Sequence, residues 1–310
     1  MGRFLLQRLA FTLPVLLLVA TLAFSLIHLI PGDPVELMLG DGAQAADVDA
    51  LRTRLGLDRP LPVQYVSFLG GLLHGDLGTS LHYSQPVSAV LMRHYPATLS
   101  LAFASMIVAL LIAVPLGVAA ALQQDGWVDH GCRFFALLGV SLPNFWLGPM
   151  LMLLFAIQWD LFPVSGRAGV LSLVLPAITL GTALAGLLTR MVRTSLIAEL
   201  HRPYVDAARA RGLERRRAVW RHALKNALIP VVTVIGLQFG SLLTGAIITE
   251  TIFSWPGLGR LLIQAIRLRD YPLLQGGMLV IALTYVMVNL ITDLLYGLLD
   301  PRIRDAVPAR

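Results

Sequence analysis

The chain is 310 residues long, 56% hydrophobic and only 14% charged, with a formal net charge of +6. An average soluble domain carries about 25% charged and about 45–50% apolar residues, and a chain of this length cannot hide the excess in a core of ordinary size, so a soluble globule and a disordered chain are both excluded. Cys132 is the only cysteine, which excludes a disulfide framework, and in so apolar a chain a basic balance points to one face of a membrane protein rather than to nucleic acid.

Six stretches of at least 22 residues contain no Asp, Glu, Lys or Arg: Leu9–Gly32, Tyr95–Gln124, Phe134–Trp159, Ala168–Thr189, Asn226–Thr249 and Tyr271–Thr292. Crossing the hydrocarbon core takes about 20 apolar residues in a helix, so each stretch predicts one span. The first resembles a signal peptide in its flanks, but its apolar run is too long and lacks a small-residue cleavage site, so it reads as a retained helix. Orientation follows from the basic residues. With the N-terminus in the cytoplasm, 16 of the 24 Lys and Arg fall inside, ten of them between Arg190 and Lys225; the positive-inside rule then places both termini in the cytoplasm.

This predicts residues 1–30 as a cytoplasmic N-terminus and first helix, and 31–94 as an external segment. Residues 95–300 form a five-helix core with a cytoplasmic loop at 192–227, and 301–310 a cytoplasmic tail. In the external segment Asp47 can cap a helix whose Val48, Leu51 and Leu55 share a face, with Gly56 as its stop. A second helix over Pro62–Leu73 would use Val66, Leu69 and Leu73 as its apolar stripe. The segment reads equally as a docking surface for an external partner and as a lid on the helix ends.

The most informative stretch runs from His201 to Pro230. Pro203 suits the first turn of a helix, Tyr204–Arg211 are good helix formers, and Gly212 can take the left-handed conformation that ends one. A second helix then runs from Leu213 towards Pro230. The result is a short helix, a sharp turn and a second helix; on residue chemistry alone it could equally be a basic amphipathic helix lying on anionic lipid.

Asp206-Ala207-Ala208, followed by Gly212 and Ile229-Pro230, resembles the "EAA" motif of ABC-importer permeases, with Asp in place of the usual Glu. Ile30-Pro-Gly-Asp-Pro34, Leu55-Gly-Leu-Asp-Arg-Pro-Leu-Pro-Val-Gln-Tyr65 and Gly75-Asp-Leu-Gly-Thr-Ser80 resemble the dipeptide/oligopeptide/nickel/glutathione branch of these permeases. So do Ser141-Leu-Pro-Asn-Phe-Trp-Leu147, Leu161-Phe-Pro-Val-Ser-Gly166, Trp255-Pro-Gly-Leu-Gly-Arg260, Arg269-Asp-Tyr-Pro272 and Leu299-Asp-Pro-Arg-Ile-Arg304.

The resemblance implies an all-α, six-span type I ABC-importer permease in the cell inner (cytoplasmic) membrane. It implies a second homologous permease, two ATP-binding subunits carrying ATP and Mg, and an external solute-binding protein as partners. It makes Pro203, Tyr204, Asp206, Ala207, Ala208 and Gly212 the element that couples to the ATPase. Short peptides are the substrate it favours, with nickel chelate or glutathione as alternatives.

The chain has no G-x-x-x-x-G-K-[ST] phosphate loop, which agrees with ATP hydrolysis in separate subunits and no cofactor or metal here. No H-E-x-x-H or G-x-S-x-G supports a membrane hydrolase, and His74, His82 and His94 read as surface or capping residues. A secondary transporter would need an ionisable relay at mid-membrane; Asp293 comes nearest, but it sits near the inner end of the sixth span and reads as a structural pair. Gln238, Thr244 and Asn289 are the candidates for pathway lining, and Gly236 and Gly240 form a GxxxG that would permit close helix approach, including between subunits.

Overall fold

The computed structural model describes residues 2–29, 32–39 and 44–299, with side chains for all of these but 2–11, 209, 215, 216, 233, 244, 245 and 295–299. The described chain is helical, with one isolated bridge between Thr79 and Pro86. In order the helices are α1 (Gly2–Leu29), α2 (Pro34–Leu39), α3 (Ala45–Leu55), α4 (Leu61–Leu73), α5 (Val87–Leu122), α6 (Trp127–Ser141) and α7 (Asn144–Leu151). Then come α8 (Leu171–Leu200), α9 (Pro203–Ala210), α10 (Arg215–Ala218), α11 (Leu224–Ile252), α12 (Leu258–Arg267) and α13 (Tyr271–Leu299). The all-α class is as expected, and the closing Asp300–Arg304 motif and the 301–310 tail lie outside the described residues.

Among the described residues, segments of α1, α5, α8 and α13 are long and apolar enough to cross a membrane unbroken. The third charge-free stretch is different from the single straight span expected. α6 and α7, the latter continued by a π-helical Met152–Gln158, meet at 101°. The cause is local: Leu142 precedes Pro143, whose ring forces its neighbour out of the α region, and Leu142 takes φ −78°, ψ 117°. The fifth stretch is also bent, by 41°, between Val219–Val232 and Val234–Leu243. Counting each bent pair as one crossing gives the six spans.

The described chain divides into two compact units. The first comprises Met1–Ala97 and Pro256–Met287. Its core sets Leu258, Leu261, Leu262 and Ala265, one face of α12, among Val87, Val90 and Leu91 of α5 and Leu273 and Leu274 of α13. Spacings of three and four residues make that face continuous on a helix. Asp270 caps α13, its Oδ1 accepting the Leu273 amide at 3.2 Å, while Oδ2 accepts from the Ser80 hydroxyl and the His82 amide. One buried carboxylate thereby joins the Gly75–Ser80 and Arg269–Pro272 motifs.

In the same unit α3 ends as expected, at Gly56 with φ +68°, but its N-cap is Gln44 and Asp47 lies in the first turn. There Asp47 meets the helix dipole instead of capping. The apolar stripe expected of α4 is also corrected: Val66 and Leu73 are exposed. The helix is instead held to α1 by Tyr65 and Phe68, which ring Phe24, and by a 2.7 Å bond between the Tyr65 and Thr21 hydroxyls. Aromatic area and a hydroxyl partner outweigh the aliphatic stripe.

The second unit comprises Thr98–Trp255 and Val288–Arg310, and α8 is its centre. Gly181 of α8 lies where a Cβ would be 2.6 Å from the Ser105 carbonyl of α5, and Gly186 where it would be 2.2 Å from the Ala136 carbonyl of α6. A Cβ on Gly236 of α11 would likewise lie 2.2 Å from Thr292 Cγ2 of α13. That half of the GxxxG is therefore used for close packing within the chain.

These contacts predict opposite outcomes for two glycines. Gly186→Ala should lower the thermal unfolding midpoint of the purified protein, with an overpacking cost of about 1–3 kcal/mol. Gly131→Ala in α6, where the added methyl meets nothing within 4 Å, should leave the midpoint unchanged or raise it, because alanine favours the helix by up to about 1 kcal/mol. Equal behaviour of the two variants would contradict the close approach of α8 and α6.

Candidate functional site

α8 stops at Leu200, and the chain turns through His201 and Arg202 into α9, with Pro203 in its first turn and the Val205 amide donating to the Arg202 carbonyl at 3.0 Å. Proline has no amide to satisfy there, so the helix starts at no cost. α9 ends where Gly212 adopts φ +86°. The Leu213 amide then reaches back to the Ala208 carbonyl at 3.2 Å, the closing bond of a left-handed helix stop. A Cβ at Gly212 would meet nothing within 4 Å, so only the backbone conformation demands glycine.

The predicted residues of this loop do not share one face. Val205 is buried and Ala208 half-buried on the inner side, whereas Pro203, Asp206, Ala207 and Ala210 are exposed. The exposed four are spaced at three and four residues, which places them side by side on the outer surface of α9. Ala207, not Ala208, is the small residue at the centre of that surface.

Tyr204 ties α9 to the two long helices that flank it. Its hydroxyl donates to Glu199 Oε2 in the last turn of α8 at 2.7 Å and accepts from Asn226 Nδ2 in the first turn of α11 at 3.1 Å. Burial, and then the bond to the Glu199 carboxylate, push that hydroxyl above the usual phenol range, so it remains a donor. Arg202 stands 3.6 Å from the other Glu199 oxygen. Beyond Gly212, α10 and α11 are joined by a π-helical turn at Val219–Ala223. This turn and its flanks bury Ala218, Val219, Ala223, Leu224 and Ala227 while Arg217, Arg221 and Lys225 stay exposed. The second helix predicted after the glycine thus runs through a π-helical turn into α11.

The expected pathway residues are less organised. Gln238 of α11 and Asn289 of α13 are half-buried and are not hydrogen-bonded to each other; the Oδ1 of Asn289 is buried with no partner among the described residues. The side chain of Thr244 lies outside the described residues. Asp293 is half-buried and engaged in an interaction.

Two buried acids were not singled out from the sequence. Glu250, in the last turn of α11, is fully buried and accepts from the Thr98 hydroxyl of α5 at 2.7 Å. Asp129, in the first turn of α6, is fully buried against Arg193 of α8. Glu250 directly follows the fifth charge-free stretch, and Asp129 lies in the charged link between the second and third. For Glu250 a signal was available, since no other charged residue occurs from Asn226 to Gly259. Among the described residues, no group of His, Cys, Asp or Glu is arranged to hold a metal ion.

The chain matches the family described as "binding-protein-dependent transport system inner membrane component" over residues 113–305, and the N-terminal part of such membrane components over residues 1–102. It is 43% identical to the dipeptide transport system permease protein DppB of Escherichia coli, covering 98% of this chain and 99% of that protein. It is 41% identical to the glutathione transport system permease protein GsiC of Pectobacterium atrosepticum, again covering 98% and 99%. Among solved structures, the inward-facing MetNI methionine ABC transporter matches with a TM-score of 0.60 at 17% identity, over 69% of this chain and 97% of that one, a likeness of fold. The motifs, the helical architecture and these matches agree: the chain belongs to the binding-protein-dependent transport system inner membrane components, the permease subunits of ABC importers, in the branch that includes dipeptide and glutathione permeases.

Proposed function

We propose that this permease pairs with a second, homologous one to carry short peptides across the inner membrane, with both termini of the chain in the cytoplasm. Two separate ATP-binding subunits dock under the pair, one of them on α9, and hydrolyse ATP with Mg, and an external solute-binding protein delivers the peptide. ATP binding closes the two ATPases and displaces α9; α8 and α11 carry the displacement into the membrane and turn the pathway outward, and hydrolysis resets it. The observation that carries this reading is the geometry of α9. It offers a small, exposed surface of Pro203, Asp206, Ala207 and Ala210, and it is anchored through the Tyr204 hydroxyl to both helices that would relay its motion. Peptide as cargo is supported by the relation to a dipeptide permease; glutathione, itself a tripeptide, is the second reading, supported by the relation to a glutathione permease.

Three measurements test it. In the assembled transporter, Gly212→Val should cost about 1–3 kcal/mol of backbone strain and tilt α9. Ala207→Trp should place a bulky side chain on the docking surface. Each should weaken the hold on the ATPase or cut uptake per ATP hydrolysed, whereas Asp206→Asn should be milder, since one exposed charge contributes about 1 kcal/mol or less. Wild-type coupling in both of the first two would refute the docking role.

Orientation is checked by thiol labelling after Cys132 is replaced. A cysteine in place of Ser67, which is exposed on α4, should react with an impermeant reagent from outside, and one in place of Glu214 only after permeabilisation. The opposite pattern would reverse the topology.

The isolated chain, having no phosphate loop, should hydrolyse no ATP. Activity should appear on adding the ATPase subunits, with dipeptide uptake requiring the second permease and the binding protein. An excess of glutathione that abolishes dipeptide uptake would favour the second reading.

A further inference from the structure

The buried carboxylate of Asp129 lies where the link between α5 and α6 meets α8. Gly126 caps α6 and Asp125 holds φ +61° in the turn before it, which brings the Asp125 amide to 2.9 Å from Asp129 Oδ2. From α8, Arg193 donates twice, Nε to Oδ1 and Nη2 to Oδ2, both at 2.6 Å. Arg133, one turn along α6, adds its Nε at 3.4 Å. Asp129 is 0% exposed and the Arg193 side chain 15%. A two-point guanidinium–carboxylate contact fixes orientation as well as distance, which a point charge or an apolar contact does not.

Stability is a poor reason for such a pair. Desolvating two charges costs much of what their attraction returns, and well-packed apolar residues in their place are often as stable or more so. What the pair does specify is geometry. It locks the first turn of α6 to α8 about two turns before α8 ends at Leu200 and the chain turns into α9. Tyr204 holds the other side of that turn. The contact thus offers a route by which a displacement of α9 that moves the end of α8 reaches α6.

We propose that Asp129 and Arg193 are positioning residues for energy coupling: a clamp through which motion of α9 reaches α6 and the bent α6–α7 span. The proposal rests on α9 being the surface that docks the ATPase.

The test uses the complete transporter in liposomes, with both permeases, both ATPase subunits, the binding protein and a labelled dipeptide. Asp129→Asn and Arg193→Gln should each retain the bound ATPase subunits, lose the stimulation of ATP hydrolysis by loaded binding protein, and lower uptake per ATP by about tenfold. The double variant should be no worse than either single one, because one contact is removed in all three. Arg193→Lys, which keeps a charge but not the two-point contact, should fall between. Wild-type uptake per ATP in the assembled single variants would overturn the proposal, and so would a loss that only tracks the amount of folded complex.

Should the single variants fail to assemble, the apolar pair Asp129→Leu with Arg193→Met decides, since it removes both charges together. Assembled but uncoupled, it supports the clamp; assembled and fully coupled, it refutes it. Gly212→Val separates the two readings. If it and Ala207→Trp both leave coupling intact, the docking role of α9 falls. If it uncouples while the Asp129 and Arg193 variants do not, only the clamp falls.

Discussion

In lipid the hydrophobic effect does not press helices together, because acyl chains are as apolar as leucine, so association depends on how closely backbones can approach. In the second unit that condition is met on α8. Gly181 and Gly186 bring its backbone against carbonyls of α5 and α6, and Gly117 of α5 meets Val192 of α8 at a distance no side chain would allow. The polar groups that surround the turn into α9 depend on that approach. Arg193, Glu199 and the turn into α9 all lie on or just beyond the same helix, and a shift in its packing would move each of them.

Polar and charged groups then decide how the packed helices are oriented. A carboxylate away from water must find donors, and three acids in this chain find them on a different helix or loop. Asp129 meets Arg193, Glu250 meets Thr98, and Asp270 meets Ser80 and the amide of His82. Each lies at or near a helix end, where backbone amides or short polar side chains can complete its coordination. These contacts contribute specificity more than stability. In a permease, which must hold more than one arrangement, joints of defined geometry between otherwise sliding apolar surfaces are what a relay of motion requires.

The loop around α9 joins the two themes. Its helix is short, with a small exposed surface, and alone it would be marginal in water. Proline at its start and a left-handed glycine after its end set its limits, and the Tyr204 hydroxyl sets its attachment. The inward turn of Ala208 and the outward turn of Ala207 follow from the burial of Val205, because residues three apart share a face of a helix.

Much of this was legible in the sequence where the physics is local. The charge-free stretches read as spans because the bilayer sets one length scale for every helix that crosses it. The end of α3 at Gly56 and of α9 at Gly212 read correctly because a positive φ excludes most side chains at the residue itself. The permease family read correctly from short motifs distributed along nearly the whole chain. Local reading failed where a choice depended on a distant partner. Asp47 could not be told from a cap, the inward face of α4 could not be chosen between Val66 and Tyr65, and Leu142-Pro143 could not be recognised as a 101° bend rather than a kink. The partners of Asp129, Glu250 and Asp270 stand 64, 152 and 190 residues away along the chain. The sequence by itself determined the membrane class, the number of crossings and the limits of the loop helix, since each depends on residues adjacent in the chain. Which faces meet, which acids are buried and which alanine of α9 faces outward were decided only by the tertiary structure, because a helix presents several faces of similar chemistry and only its packed neighbours select among them.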